Sequence, residues 1–292
     1  MLRKSRKLLA KCIYRFLLLL KKRVRRRLRS ISRRSCVKAF WFDREANFGD
    51  LLAPFIIERL TGKKAEWVDY RHREEHFVIV GSVLRLCNER SIVWGAGFMD
   101  SKEVTKVDPK NLHGVRGPLS LQMLEKSSVG ETENIALGDP AVLLPRLYAP
   151  RLKRIRYDIG IIPHYVDQLL PVFRNTKKLR QVTFIDVLRR NPLEVIDDIV
   201  SCRLILSSSL HGIILAEAYS IPAIWVLFHN HMVSGSRFKF DDYYLSTGRA
   251  VNPFNIDTAD GIFQILSYSN TIPMLSRCVE SLMECCPLPM LR

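Results

Sequence analysis

In the C-terminal half of the chain, Arg203-Leu204-Ile205-Leu206-Ser207-Ser208-Ser209-Leu210-His211-Gly212 sets one imidazole between an apolar run and the helix-like stretch Ile213–Tyr219. The run reads as a buried strand, the serines as a turn and the following stretch as a helix. His211 then falls where an α/β sheet presents strand ends and helix N-termini to ligands, a place that favours anions. Histidine takes up and releases protons near neutral pH. Acid–base chemistry therefore stands beside the plainer role of a histidine hydrogen-bonded at the start of a core helix.

Other polar residues occupy comparable strand ends. Asn47-Phe48-Gly49-Asp50 precedes a helix expected over 51–60, with Asp50 as its N-cap and Asn47 and Gly49 shaping the loop. Trp94-Gly95-Ala96-Gly97-Phe98 has Asp100 where a dinucleotide-binding G-x-G-x-x-G needs its last glycine, so its glycines point to close backbone approach, to substrate or to a neighbouring helix. Arg116 lies just before a helix opened by Pro118, where a guanidinium and free amides can grip a phosphate or carboxylate together; a surface arginine paired to an acid is the alternative. Gly138-Asp139-Pro140 offers another carboxylate. His164, His229 and His231 end strands without metal-binding spacing, so no metal is expected and an anion-binding cleft accounts for them better. Arg237–Leu245 holds Lys239, two carboxylates and two tyrosines, a set suited to a sugar phosphate or to closure over a cleft.

The elements that must position these residues alternate strand and helix. Strand-like or helical runs cover 37–42, 51–60, 77–83, 91–98 and 118–126, then 157–163, 166–174, 181–187, 192–201, 204–207, 210–220 and 223–228. This rhythm predicts an α/β protein with two Rossmann-like domains, 37–150 and 151–292, facing a cleft. The shift around Pro145, Pro150 and Arg151–Arg156 reads as a linker. Helices over 259–266 and 273–285 are free to pack on either domain.

The formal charge of +17 sits at one end. Of 46 Lys and Arg, 16 fall between Met1 and Lys38, a stretch without Asp or Glu, leaving 30 basic side chains against all 29 acidic ones. The apolar run Phe16–Leu20 is far shorter than the ~20 residues of a membrane span. On a helix, Leu9, Ile13, Phe16, Leu20, Val24, Leu28 and Ile31 share a face, so residues 1–36 read as a basic amphipathic tail lying on an anionic membrane surface; a disordered basic arm is the alternative. No aromatic platform accompanies it, and nucleic acid is not expected as a partner. The seven cysteines form no C-x-x-C pair, which points to the reducing cytoplasm and places the tail at the inner face of the plasma membrane.

Taken in order, Asn47-Phe48-Gly49-Asp50, Val115-Arg116-Gly117-Pro118-Leu119-Ser120, Gly138-Asp139-Pro140-Ala141, Ser208-Ser209-Leu210-His211-Gly212 and Lys239-Phe240-Asp241-Asp242-Tyr243 resemble the polysaccharide pyruvyl transferase family from about residue 40 to 250, the basic tail lying outside. The resemblance implies a GT-B-like fold with phosphoenolpyruvate as donor substrate between the domains and no cofactor. It also implies transfer of pyruvate onto two sugar hydroxyls as a cyclic ketal, with release of phosphate. His211 corresponds to the family's catalytic histidine and Arg116 to its arginine in the Val-Arg-x-Pro segment. Where several members carry an arginine two residues before the histidine this chain has Ser209, so one anion contact must come from elsewhere, with Lys239, His164 and His229 the candidates. Asp50 or Asp139 would orient or deprotonate the acceptor, a lipid-linked saccharide. A nucleotide-sugar glycosyltransferase and a non-catalytic membrane-tethered scaffold are the competing expectations.

Overall fold

Short apolar runs bounded by glycine, proline or polar turns form strands here because helices cover them on both faces, the condition under which parallel sheets are stable. The computed structural model describes residues 36–43, 47–127, 134–151, 154–170, 173, 180–228, 236–256, 261–262, 265 and 272–290. The proposed tail, His229, His231 and nearly all of 259–266 lie outside the described residues.

Strands β1 (Cys36–Ala39), β2 (Lys64–Trp67), β3 (His76–Val78), β4 (Ser91–Trp94), β5 (Leu112–Val115) and β6 (Ala136–Leu137) make one sheet in the order β2-β1-β3-β4-β5-β6. The β1–β3, β3–β4, β4–β5 and β5–β6 pairs are parallel. A second sheet holds β7 (Tyr157–Ile162), β8 (Val182–Phe184), β9 (Cys202–Ser207), β10 (Ala223–Phe228) and β11 (Phe254–Ile256) in the order β11-β10-β9-β7-β8. Its β7–β8, β7–β9, β9–β10 and β10–β11 pairs are likewise parallel. Both sheets thus share one winding: the first strand has its second on one side and its third on the other. Each reverses direction at a switch point, β1/β3 and β7/β9, and open α/β sheets bind ligands outside the carboxyl ends of strands at such points. Lys38–Arg292 forms one compact unit containing both sheets.

Seven helices complete the described fold: α1 (Leu52–Thr61), α2 (Pro118–Lys126), α3 (Leu144–Leu147), α4 (Pro192–Val200), α5 (Leu210–Ala218), α6 (Ser236–Ser246) and α7 (Ser276–Glu284). Two expectations are corrected. Leu51, not Asp50, takes the cap position of α1 and makes no side-chain cap, because Asp50 already belongs to the preceding turn, its N–H donating to Asn47 O. Val166–Leu169 forms turns rather than the start of a helix.

Helix α5 is apolar on every side, and every residue from Leu210 to Glu217 is buried. A helix of that composition needs cover all round. It receives it from β9, β10, α4 and α3 together with the 3₁₀ turn Pro140–Leu143. Ala141, Val142, Leu143 and Leu144 are therefore interior, although the composition around them reads as a linker.

Helix α6 ties the sheets together through three of its residues. Asp242 accepts hydrogen bonds from Ser120 at the start of α2 and from Arg116, Tyr243 donates to Glu217 on α5, and Phe240 stacks on Trp225 of β10 at 4.3 Å. Helix α7 returns to the first sheet, where Leu282 O accepts from the buried indole N–H of Trp94.

Candidate active site

A cavity of about 300 Å³ opens where the two switch points meet. From the first sheet it is lined by the β1–α1 loop, with Asn47 and Asp50, and by Gly81 and Ser82 beyond β3; from the second by His164 beyond β7 and by Ser209 and His211 beyond β9. Lys239 of α6 completes it. Burial separates a floor from a rim. Asp50, Ser209, His211 and Lys239 are all under 10% exposed, whereas Tyr165 is 38% exposed and the Arg85 side chain 53%.

The imidazole of His211, carried by the second sheet's side, is clamped by two segments of the first, the loop after β1 and the turn after β6. Nε2 is enclosed, has no hydrogen-bond partner among the described residues and lies 3.5 Å from Asp139 Oδ2, while Nδ1 sits against Gly49, where a Cβ would fall 2.1 Å away. That approach is why position 49 has no side chain. Asp139 is held by accepting from Ala141 N across the Pro140 turn. Phe48 N donates to Val187 O, fixing the Asn47–Asp50 loop to the second sheet's side.

Asp50 and Asp139, equivalent in sequence terms, are separated by the fold. Asp50 faces the cavity, with Gly81 (φ 102°) leaving room for its Oδ1, and burial pushes its carboxyl up to about 6 against the opposing pull of His211 and Lys239. Asp139 is 1% exposed and stands behind His211, away from the lining. Lys239 Nζ makes no hydrogen bond among the described residues; burial and the neighbouring Arg116 bring its ammonium down to about 8, against Asp50 and Asp167, which favour its charge. A buried ammonium without an acceptor is costly unless an anion meets it.

Arg116 departs from the role expected of it. It is 1% exposed, and its guanidinium bonds to Asp242 Oδ2 (3.0 Å), Ser82 Oγ (2.7 Å) and Phe98 O (2.6 Å), so it supports the wall through Ser82 and does not line the cavity. Gly97 is bare to admit that guanidinium, which settles why the Trp94–Phe98 segment needs close backbone approach. Ser209 takes the cap position of α5, but its hydroxyl makes no cap and is left at the cavity beside the helix N-terminus. His164 N donates to Ser208 Oγ at 2.8 Å, and Asn47 Oδ1 accepts from Gly49 N. Gly81, Ser82, Arg85, Glu103 and Tyr165 escaped sequence reasoning. Gly81 carried the same signal as Gly49, a glycine at a strand end, while Arg85 and Glu103 carried none.

Among the described residues no group of three His, Cys, Asp or Glu is placed to hold a metal, and no helix is long and apolar enough to cross a membrane. A cavity with a cation, an imidazole and a carboxylate on its floor can hold an anion, donate a proton to it and accept one from a second substrate.

The chain is 32% identical over 216 residues to the uncharacterized protein L143 of Acanthamoeba polyphaga mimivirus, covering 70% of this chain and 71% of that protein. It is 27% identical over 223 residues to the succinoglycan biosynthesis protein ExoV of Rhizobium meliloti (strain 1021), covering 73% of this chain and 66%, just under two thirds, of that protein. The family model described as polysaccharide pyruvyl transferase matches residues 5–230, a span that takes in most of the basic segment expected to lie outside and stops short of Lys239. With that match over most of its length, the chain is an enzyme of the polysaccharide pyruvyl transferase family.

Proposed function

We propose that the enzyme transfers pyruvate from phosphoenolpyruvate to a sugar of a lipid-linked or surface polysaccharide, forming a cyclic ketal and releasing phosphate, on a GT-B-like pair of domains. The observation that carries this reading is Lys239, a buried ammonium without an acceptor among the described residues, set beside His211 and Asp50 at the N-terminus of α5. With both ring nitrogens of His211 protonated, Nε2–H faces Asp139 Oδ2 at 3.5 Å and the proton on Nδ1 is the one delivered to C3 of the enol. Protonation makes C2 electrophilic. One acceptor hydroxyl then adds to C2, its proton passing to Asp50, whose raised pKa suits a base working near neutral pH. A second hydroxyl displaces phosphate from C2 to close the ketal, its proton leaving with the phosphate. Lys239 and the free amides at the start of α5 hold the departing anion.

The test is incubation with phosphoenolpyruvate and lipid-linked oligosaccharides. Phosphate release with a pyruvyl mass gain is the expected outcome, and neither product across a broad acceptor panel refutes the reading. His211→Ala is expected to abolish turnover while leaving the circular dichroism of the fold unchanged. For the basic segment we propose a peripheral position on the inner face of the plasma membrane. Salt-sensitive binding to anionic vesicles should vanish when residues 1–36 are removed.

A further inference from the structure

The division of the cavity into a charged floor and an open rim has a counterpart in the two substrates, and we infer that the rim formed by Tyr165, Arg85 and Glu103 is the acceptor subsite, selective for a neutral hexopyranose. This rests on the proposed pyruvyl transfer and adds to it the location and class of the sugar. The floor, with Lys239, His211 and Asp50 buried together, is suited to a small anion. The rim has different chemistry. Tyr165 is exposed, its ring lying 4.4 Å from that of His164 at 34°, so His164 backs the tyrosine.

The loop displaying Tyr165 is held firmly. Asp167, 1% exposed, accepts from Ser208 Oγ at 2.8 Å and donates its N–H to His164 O, closing the turn on both sides of Tyr165 and Val166. An aromatic ring fixed at the mouth of a polar cavity offers an apolar face to the C–H face of a pyranose. Opposite in chemistry, Arg85 Nε lies 2.9 Å from Glu103 Oε1, and Glu103 Oε2 accepts from Met99 N. That carboxylate is fixed, while the terminal nitrogens of Arg85 make no hydrogen bond among the described residues. Together they offer donors and an acceptor to sugar hydroxyls. Because Glu103 offsets the charge of Arg85, the rim carries no net attraction for a uronic acid, which is why a neutral sugar is inferred.

The experiment separates this subsite from the transfer reaction by measuring saccharide binding without donor. Saturation-transfer NMR on the full chain with lactose, cellobiose and a glucuronate-containing disaccharide should show contact with the neutral sugars, lost in Tyr165→Ala and retained in Tyr165→Phe. In the transfer assay Tyr165→Ala should raise the acceptor KM by about tenfold. The KM for phosphoenolpyruvate and the thermal shift it produces should stay unchanged. Undiminished saccharide contact in Tyr165→Ala, an equal rise in donor KM, absence of contact with either neutral sugar in the wild type, or preference for the glucuronate disaccharide would each overturn the inference. Saccharide contact dependent on Tyr165 in a protein that transfers no pyruvate would instead refute the reaction and leave the subsite standing.

Discussion

Asp50 is the residue at which site and stability conflict. Its carboxyl is raised from 3.8 to about 6, so between those values the folded state binds more protons than the unfolded chain, and stability falls as pH rises through that window. Above about pH 6 the full cost of the buried charge is present, on the order of 2–3 kcal/mol at most. Asp50→Asn should therefore raise Tm at pH 7.5, leave it nearly unchanged at pH 3.5 and abolish transfer; an equal shift at both pH values, read by calorimetry, would remove the cost from Asp50. Lys239 runs the other way, its amine lowered from 10.5 to about 8, so that affinity for phosphoenolpyruvate should weaken as pH climbs through 8. Isothermal titration across pH 6.5–9.5 checks this, and Lys239→Met should flatten the profile. Gly49→Ala forces the imidazole of His211 to move, because the added carbon falls 2.1 Å from Nδ1. Turnover should drop at least about a hundredfold, the scale of losing a positioned acid–base group.

At the scale of elements, most of the strands and helices were legible from periodicity. Helix 118–126 and strands 157–162 and 223–228 begin where the apolar pattern places them, Pro118 opening α2 as the first helical residue. The site was legible in part for the same reason: glycines and polar residues at strand ends recur at Gly49, Asp50, Ser209 and His211, and all four meet at the cavity or its wall. What the sequence hid was partnership between distant segments. Arg116 looks like an anion clamp until Asp242, from a helix far along the chain, is seen to occupy it. Asp50 and Asp139 are indistinguishable until the fold turns one to the cavity and the other behind His211. The Arg116–Asp242 pair is 1% and 0% exposed, and removing one member strands the other's charge. Arg116→Met should cost about 3–5 kcal/mol of stability, measured by urea unfolding, with a loss of activity no greater than the folded fraction explains.

For the whole molecule, the cavity draws its wall from both sheets, so a ligand there bridges elements that unfolding would separate. Phosphoenolpyruvate should stabilise the entire unit in one cooperative transition, by about 2.7 kcal/mol at a hundredfold excess over Kd. Two resolved transitions, only one of them shifted, would show that the halves respond apart. Asp242→Asn weakens the tie that α6 makes to the first sheet and should lower both stability and the donor-induced shift.

The indole of Trp94, bonded to Leu282, gives the molecule a temporal property. A strand of the first sheet has its buried N–H satisfied by a carbonyl made 188 residues later. The first sheet therefore leaves the ribosome with an open face and an unpaired donor, and it stays so while the whole second sheet is built. Completion belongs to α7. Newly made chains stalled before α7 should be protease-sensitive in their first half as well as their second, and enzyme activity should appear only after α7 has emerged.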